Sequence, residues 1–237
     1  MNIPGKLYLI PSVLAEGTAH QVITPQVKDV ISHTKYYLVE NLRTARRYIS
    51  SLKLGIEIEK LDLHILDKNT DSQELQHLMK ALFEGNDIGI ISEAGCPGIA
   101  DPGAVAVAFA HQKGIQVVPL SGPSSIFLAL MASGFSGQSF TFHGYLPIDK
   151  KELVHSIIGL ENASKKVRST QIFMETPFRN QKMLENLLQN LHPETLLCIA
   201  KNITATDELI QTKRVQEWKR NPPDLHKIPT VFLLSTS

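Results

Sequence analysis

Glu93 stands at the start of a twelve-residue stretch, Ser92-Glu-Ala-Gly-Cys-Pro-Gly-Ile-Ala-Asp-Pro-Gly103, whose residue types suit the binding of a small molecule. Gly95, Gly98 and Gly103 allow positive φ and close approach of backbone to a ligand. Pro97 and Pro102 fix φ and stiffen the loop. A carboxylate among such residues suits a cationic or largely neutral ligand better than a triphosphate. The plain alternative is a tight strand-to-helix connection, but such connections need only about 2–6 residues. A second loop of the same kind, Ser121-Gly-Pro-Ser-Ser125, follows the next apolar run. Glu40 ends another apolar run, where it serves as an acceptor-binding group or a base for a hydroxyl proton, or only as a helix N-terminal charge beside Asn41. Cys96 reads as a small packing residue, since nothing near it in sequence depresses its pKa. His143 reads as a structural histidine. Arg179 either anchors a phosphate or pairs with Glu175 at helical spacing. Among the aromatics Phe142, Tyr145 and Phe173, Tyr145 is the one expected to line a site and the others fit a core.

These residues need elements to hold them, and the chain alternates strand and helix patterns. Lys6–Ile10, Tyr36–Glu40, Ile58–Leu66, Asp87–Ile91 and Ile115–Leu120 read as strands. Between them, Thr24-Pro25 opens a helix to about Thr34 and Asn41 begins a second, which carries Arg43, Arg46 and Arg47. Thr70 with Gln73 forms a capping box for a third that ends at Gly85. Asp101 and Pro102 fit N-cap and first residue of a fourth, stopped by Gly114. Gly134 ends a fifth helix, and the domain boundary is expected there, giving domains 1–134 and 135–237. The second half continues with a strand at Ser139–His143, a helix from Asp149 to Asn162 and a strand at Thr170–Met174. A helix from Pro177 to Leu191, strands at Thr195–Ala200 and Glu208–Thr212, a short helix Val215–Arg220 and a last strand Ile228–Leu234 complete it. Alternation of this kind predicts an α/β fold, with a largely parallel sheet and helices on both faces. In such folds ligands bind at the carboxyl ends of strands, where both glycine loops fall.

Composition narrows the function. The chain has 237 residues and near-balanced charge, with Lys+Arg 24 against Asp+Glu 23, so neither an acidic tail nor a polycation is present. The clusters Arg43/Arg46/Arg47, Lys165/Lys166/Arg168 and Lys213/Arg214 with Lys219/Arg220 read singly as solvated surface and together as a possible basic face. Two cysteines without CxxC spacing argue against structural zinc and a disulfide framework. No HExxH, GxGxxG or GxxxxGK[ST] motif occurs, and no GxSxG elbow. No signal peptide is read at the N-terminus, and no run of about 18 apolar residues exists to span a bilayer; the expected location is the cytoplasm, with no membrane partner.

Ser92–Gly103 resembles the "SDAGTPxxxDPG" loop of the tetrapyrrole-methylase superfamily of S-adenosylmethionine-dependent methyltransferases. Leu120-Ser-Gly-Pro-Ser-Ser125 resembles its "PGPSA", Phe140-Thr-Phe-His-Gly-Tyr-Leu-Pro147 its "FxFxGFLP", Phe173-Met-Glu-Thr-Pro-Phe-Arg179 its "FYESPHR", and Ala200-Lys-Asn-Ile-Thr204 its "ARELTK". The combination is most similar to the bacterial small-subunit ribosomal RNA cytidine 2′-O-methyltransferases. The resemblance implies two α/β domains, a largely parallel N-terminal sheet and a mixed C-terminal one, with the cofactor in the cleft between them and a homodimeric assembly. It implies metal-free methyl transfer from S-adenosylmethionine to a ribose hydroxyl of ribosomal RNA. It places on the cofactor Pro11, Ser92, Glu93, Ala94, Gly95, Cys96, Ile99, Ser121, Gly122, Ser124, Ser125, Tyr145, Met174, Ala200, Pro229 and Thr230, and leaves Glu40 as the candidate catalytic residue. The chain departs from the family in its first loop, where "ATPIGN" is Ile10-Pro-Ser-Val-Leu-Ala-Glu-Gly17, and in "CEDTR", which is Val39-Glu-Asn-Leu-Arg43. Those departures keep two other readings open: a small tetrapyrrole-like acceptor, and a binding module without catalysis.

Overall fold

The structure, a computed structural model, describes residues Ile3–Thr236. Residues up to Ser124 form one unit, and Ser125 begins a second. In the first unit the elements run β1 (Leu7–Ile10), α1 (Ala19–Val22), α2 (Pro25–His33), β2 (Tyr36–Val39), α3 (Leu42–Ser51), a 3-10 turn (Ile58–Lys60), β3 (Asp62–Ile65), α4 (Ser72–Leu78), α5 (Lys80–Phe83), β4 (Ile88–Ile91), α6 (Gly103–Gln112) and β5 (Val117–Pro119). The strands form one sheet, ordered β3-β2-β4-β1-β5, and every pairing is parallel. β4, Ile-Gly-Ile-Ile, is buried throughout, as expected of a central parallel strand covered on both faces. Leu75 from α4, Leu82 from α5, Met79 between the two, and Ala106 and Ala110 from α6 pack in one core. Val27, Ile31, Ala45, Tyr48 and Ile49 from α2 and α3 pack in another.

The local chemistry explains most of these limits. The Val27 N–H donates to Thr24 Oγ1, and Pro25 opens α2. Asn41 Oδ1 accepts from the Arg43 and Thr44 N–H groups and starts α3. Four expectations change. Ile58–Lys60 is a 3-10 turn, so β3 is only Asp62–Ile65. The helix after it is capped by Asp71, whose Oδ1 takes the Gln73 and Glu74 N–H groups; Thr70 Oγ1 instead accepts from the Asp67 N–H. That helix also breaks at the fully buried Met79, where ψ is 3°. Pro102 is the N-cap of α6 and Gly103 its first residue, because the Asp101 side chain is drawn backwards into the loop.

The second unit runs α7 (Ser125–Ser133), β6 (Phe140–Tyr145), α8 (Lys150–Val167), β7 (Thr170–Met174), α9 (Asn180–Asn190), β8 (Leu196–Lys201), β9 (Leu209–Arg214), α10 (Val215–Arg220) and β10 (Thr230–Ser235). Its sheet is ordered β6-β7-β10-β8-β9. β6 pairs parallel with β7, and β10 antiparallel with β7 and β8; β9 is antiparallel to β8. The sheet is therefore mixed. Phe173 and Phe232 stack with ring centroids 5.7 Å apart, and buried Trp218 donates to the Leu197 carbonyl at 2.8 Å. The sequence grouped α7 with the residues before it, yet its packing lies with β9 and β10: the Thr212 hydroxyl donates to the Ser133 carbonyl at 2.7 Å. α8 runs past the expected Asn162 to Val167, where Arg168 turns left-handed at φ 50°. Among the described residues, no helix is long and apolar enough to cross a membrane.

Candidate functional site

β1 and β4 are neighbours in the first sheet, but their connections leave to opposite faces: β1 leads to α2 in one core and β4 leads to α6 in the other. That is a topological switch point, the place where open α/β sheets bind ligands. The loops after β1, β4 and β5 meet there. The Ser12 N–H donates to the Gly95 carbonyl at 2.9 Å, and the Ser12 hydroxyl donates to the Ser92 carbonyl at 3.1 Å. The Ser92 hydroxyl turns inward to the Gly95 carbonyl at 3.2 Å. Cys96 Sγ lies 3.4 Å from the Pro123 carbonyl oxygen, and the Tyr48 hydroxyl holds the Pro11 carbonyl at 2.8 Å. Two glycines permit this proximity. A Cβ on Gly122 would lie 2.2 Å from Pro11 Cγ, and one on Gly95, whose φ is +75°, would lie 3.1 Å from Leu14 Cδ2.

Of the residues expected on a cofactor, this junction gathers Pro11, Ser92, Gly95, Cys96 and Gly122. Glu93, Ala94, Ile99 and Ser121 are exposed on the same loops, and Ser124 is half-buried after them. The three loops thus form a backbone-lined junction, with the exposed Glu93 carboxylate on one of them. The Cys96 thiol is pushed up by burial and then by Asp101, which keeps it protonated and suits packing.

Glu40 follows β2 and shares a small recess with Ser92, Asp101, Pro102 and Gly103. Burial, then the charges of Asp101 and Glu93, push its carboxyl up to about 7. Asp101 is the residue that sequence reasoning underrated. Its Oδ1 accepts the Gly98 N–H at 2.8 Å and the Gly103 N–H at 2.7 Å, so it fastens the second half of the loop. Its Oδ2 is buried with no hydrogen-bond partner. Burial raises the Asp101 carboxyl, against the pull of those two N–H groups. An Asp before a Pro signals a helix cap; nothing in that spacing signals a staple reaching back to Gly98. Gly103 must be glycine here, because a Cβ would lie 2.8 Å from Asp101 Oδ1.

In the second unit, Tyr145 pairs with Met174, Met174 with Val231, and Val231 with Ala200. Tyr145, Met174 and Ala200, spread across the sequence, therefore lie in one register row across β6, β7, β10 and β8. Thr230 opens β10 just before that row, and Pro229 precedes the strand, its carbonyl accepting the Asn202 N–H at 3.0 Å. Ser125 opens α7. Arg179 pairs with the buried carboxylate of Glu175, the local alternative of the two that its spacing allowed. His143 Nε2 bonds Gln171 Oε1 at 2.7 Å, a structural contact.

The profile of the Tetrapyrrole (Corrin/Porphyrin) Methylases matches residues 21–218. The chain is 32% identical over 205 residues to "Ribosomal RNA small subunit methyltransferase I" of Vibrio cholerae, covering 86% of this chain and 67% of that protein. It is 31% identical to the protein of the same name from Haemophilus influenzae, covering 98% of this chain and 79% of that one. Among solved structures, the methyltransferase CobJ superposes with a TM-score of 0.65 at 18% identity, covering 98% of this chain and 95% of that one. The uroporphyrin-III-C-methyltransferase of Thermus thermophilus does so with a TM-score of 0.56 at 19% identity, covering 98% and 92%. Those two likenesses concern the fold.

Proposed function

The chain belongs to the tetrapyrrole methylase family and is a methyltransferase, and from that premise we propose that it methylates small-subunit ribosomal RNA, using S-adenosylmethionine as donor and a cytidine ribose 2′-hydroxyl as acceptor. The observation that carries the reading is identity of about 30% along almost the whole chain to proteins named for that RNA. The small-molecule methyltransferases share the fold at only 18–19% identity.

In this reading the loops after β1, β4 and β5 hold the donor, with Glu93 at the sulfonium and the closeness of Gly122 to Pro11 setting the depth of the cradle. The bound donor supplies an electrophilic methyl on sulfur. With the donor bound, Glu40 would orient the ribose hydroxyl and take its proton, freeing the oxygen to accept the methyl group that the sulfonium would supply. A carboxyl at about 7 is half ionised near neutral pH, where a general base works best. Positioning does the rest, since displacement at a sulfonium needs mainly alignment.

The active form is read as a homodimer in the cytoplasm. Support for the dimer comes from Phe127 and Met131, exposed on α7, and from Phe140, whose ring meets Phe127 edge-on at 6.0 Å; apolar patches of this kind mark association surfaces. Sedimentation of the purified chain at twice the monomer mass is the expected result.

The deciding experiment incubates the protein with tritiated S-adenosylmethionine and small ribosomal subunits from a strain lacking its gene. Label is expected in one RNA nucleotide. Label entering a tetrapyrrole-containing extract but not the subunits would replace RNA by a small-molecule acceptor. Tight cofactor binding with no label in either would leave a binding module.

A further inference from the structure

Three carboxylates gather at the carboxyl ends of β2 and β4: Glu40 after β2, and Glu93 and Asp101 on the loop that joins β4 to α6. Glu40 and Asp101 line one recess. Among the described residues, none of the three enters an ion pair. Asp101 uses Oδ1 for the Gly98 and Gly103 N–H groups, and its Oδ2 is buried without a partner. No group of His, Cys, Asp and Glu side chains among the described residues is placed to hold a metal ion. The other ionisable groups at these chain ends are Arg43, exposed on α3, Asp67, which takes the Asn69 N–H, and Cys96, whose thiol stays protonated. The negative charge of the three is left for a ligand to meet.

The three carboxylates differ in what a ligand can do to them. Asp101 is fastened by its two N–H groups, and its Oδ2 is shut away from solvent. Glu93 is exposed on the loop, so it is the charge that an incoming cation can meet. After burial, Asp101 and Glu93 are what raise the Glu40 carboxyl. A cation beside Glu93 cancels part of that repulsion, and Glu40 then holds its proton less tightly. Methyl donor and spent product differ in this one respect: S-adenosylmethionine carries a sulfonium, and its demethylated product a neutral thioether.

We propose that the donor arms the base: Glu40 gives up its proton to solvent when a cation is seated beside Glu93, and keeps it when the neutral product is there instead. The inference rests on the loops after β1, β4 and β5 holding the donor. Glu40 then ends the reaction protonated beside a neutral product, the state that the empty site also favours. Linkage runs both ways. The chain therefore prefers donor to product more strongly as pH rises, and releases product as the neutral pair.

The test is calorimetry of the full chain with S-adenosylmethionine and with its product, at pH 7, in buffers of different ionisation enthalpy. Protons released are counted as wild type minus Glu40→Gln, which removes protons belonging to the ligands themselves. Donor binding should release up to about half a proton, since this carboxyl is half ionised at about 7, and product binding should release far less. Glu93→Gln should lower both the release and the donor affinity while leaving product affinity at the wild-type value. In the wild-type chain, donor affinity should rise about three- to tenfold between pH 6 and 8, with product affinity level. Equal release by wild type and Glu40→Gln, or equal release on donor and product, overturns the proposal and leaves the donor site standing. A donor affinity that is flat from pH 6 to 8 overturns it too, without need of any variant. If the wild-type chain binds neither ligand, the donor reading fails and this inference with it.

Discussion

Gly122→Ala is the smallest change that tests the cradle. A Cβ at this position would lie 2.2 Å and 2.3 Å from Pro11 Cγ and Cβ, where ordinary contact begins at 3.4 Å. One loop must therefore withdraw by about 1 Å. Pro11 cannot swing aside. Its ring fixes φ, and its carbonyl is held by the Tyr48 hydroxyl at 2.8 Å. The neighbouring Ser12 N–H is tied to the Gly95 carbonyl at 2.9 Å. The loop after β5 must move, and it carries Ser121 and Ser124. Overpacking of this kind costs roughly 1–3 kcal/mol, and a misplacement of about 1 Å costs on the order of a hundredfold in a positioned reaction. Calorimetry with S-adenosylmethionine and its demethylated product should show affinity falling about ten- to a hundredfold. Thermal melting should show a moderate loss, with the fold intact by circular dichroism. Gly98→Ala is the matched comparison: φ is +83° and nothing lies within 4 Å of a Cβ, so it carries backbone strain of roughly 1–2 kcal/mol without a collision. Wild-type cofactor affinity in Gly122→Ala would refute the argument, because the junction would then not be where the ligand sits.

Two further outcomes follow from the carboxylates. Glu40 is pushed up to about 7 from an ordinary 4.5, so the folded chain holds this proton more tightly than the unfolded one. Its contribution to stability is full below about pH 4.5 and is lost as pH rises through about 7, while the methylation rate climbs over the same window as the base ionises. Glu40→Gln should abolish that rate limb with a loss on the order of 10²–10⁴ and flatten the stability profile; a limb that survives assigns the proton to another group. Asp101→Asn should move the limb to lower pH but not to 4.5, since burial outranks Asp101 among the causes; a stationary limb in a pH–rate profile disproves the coupling. Glu93→Gln keeps the shape and removes one exposed charge, and equilibrium binding should weaken about tenfold, with high salt narrowing the gap; equal affinities at low salt would remove Glu93 from the sulfonium.

The fold class was legible because its signals are local. Apolar runs such as Ile88–Ile91 alternate with amphipathic stretches such as Leu42–Ser51, and Thr24, Asn41 and Asp149 mark helix starts by their side-chain oxygens. The loops were legible through their glycines and prolines. Less legible was anything set by a distant neighbour. Thr70 and Asp71 are both good caps, and only the Asp67 N–H, which takes Thr70, decides between them. The meeting of Gly122 with Pro11 spans most of the first unit, and no pattern near either residue announces it. Asp101 looked like a cap because one residue can satisfy two geometries, and its bond to Gly98 exists only once the loop has closed. The row Tyr145–Met174–Val231–Ala200 depends on an antiparallel last strand inserted between β7 and β8, an order that hydropathy does not encode.

The place of β1 in its sheet bears on how the chain emerges from the ribosome. Leu7–Ile10 is an interior strand, and its two partners in register are Ile88–Ile91 and Val117–Pro119. The first strand made is thus among the last to be paired. Synthesis proceeds at about 5–20 residues per second, so Leu-Tyr-Leu-Ile waits on the order of ten seconds with both edges open before β4 and then β5 arrive. Parallel pairing of this sequence separation is slow to form, and an open apolar strand recruits other strands. An unpaired apolar strand therefore persists in the nascent first half for that interval, while β6 meets its partner β7 after only about thirty residues.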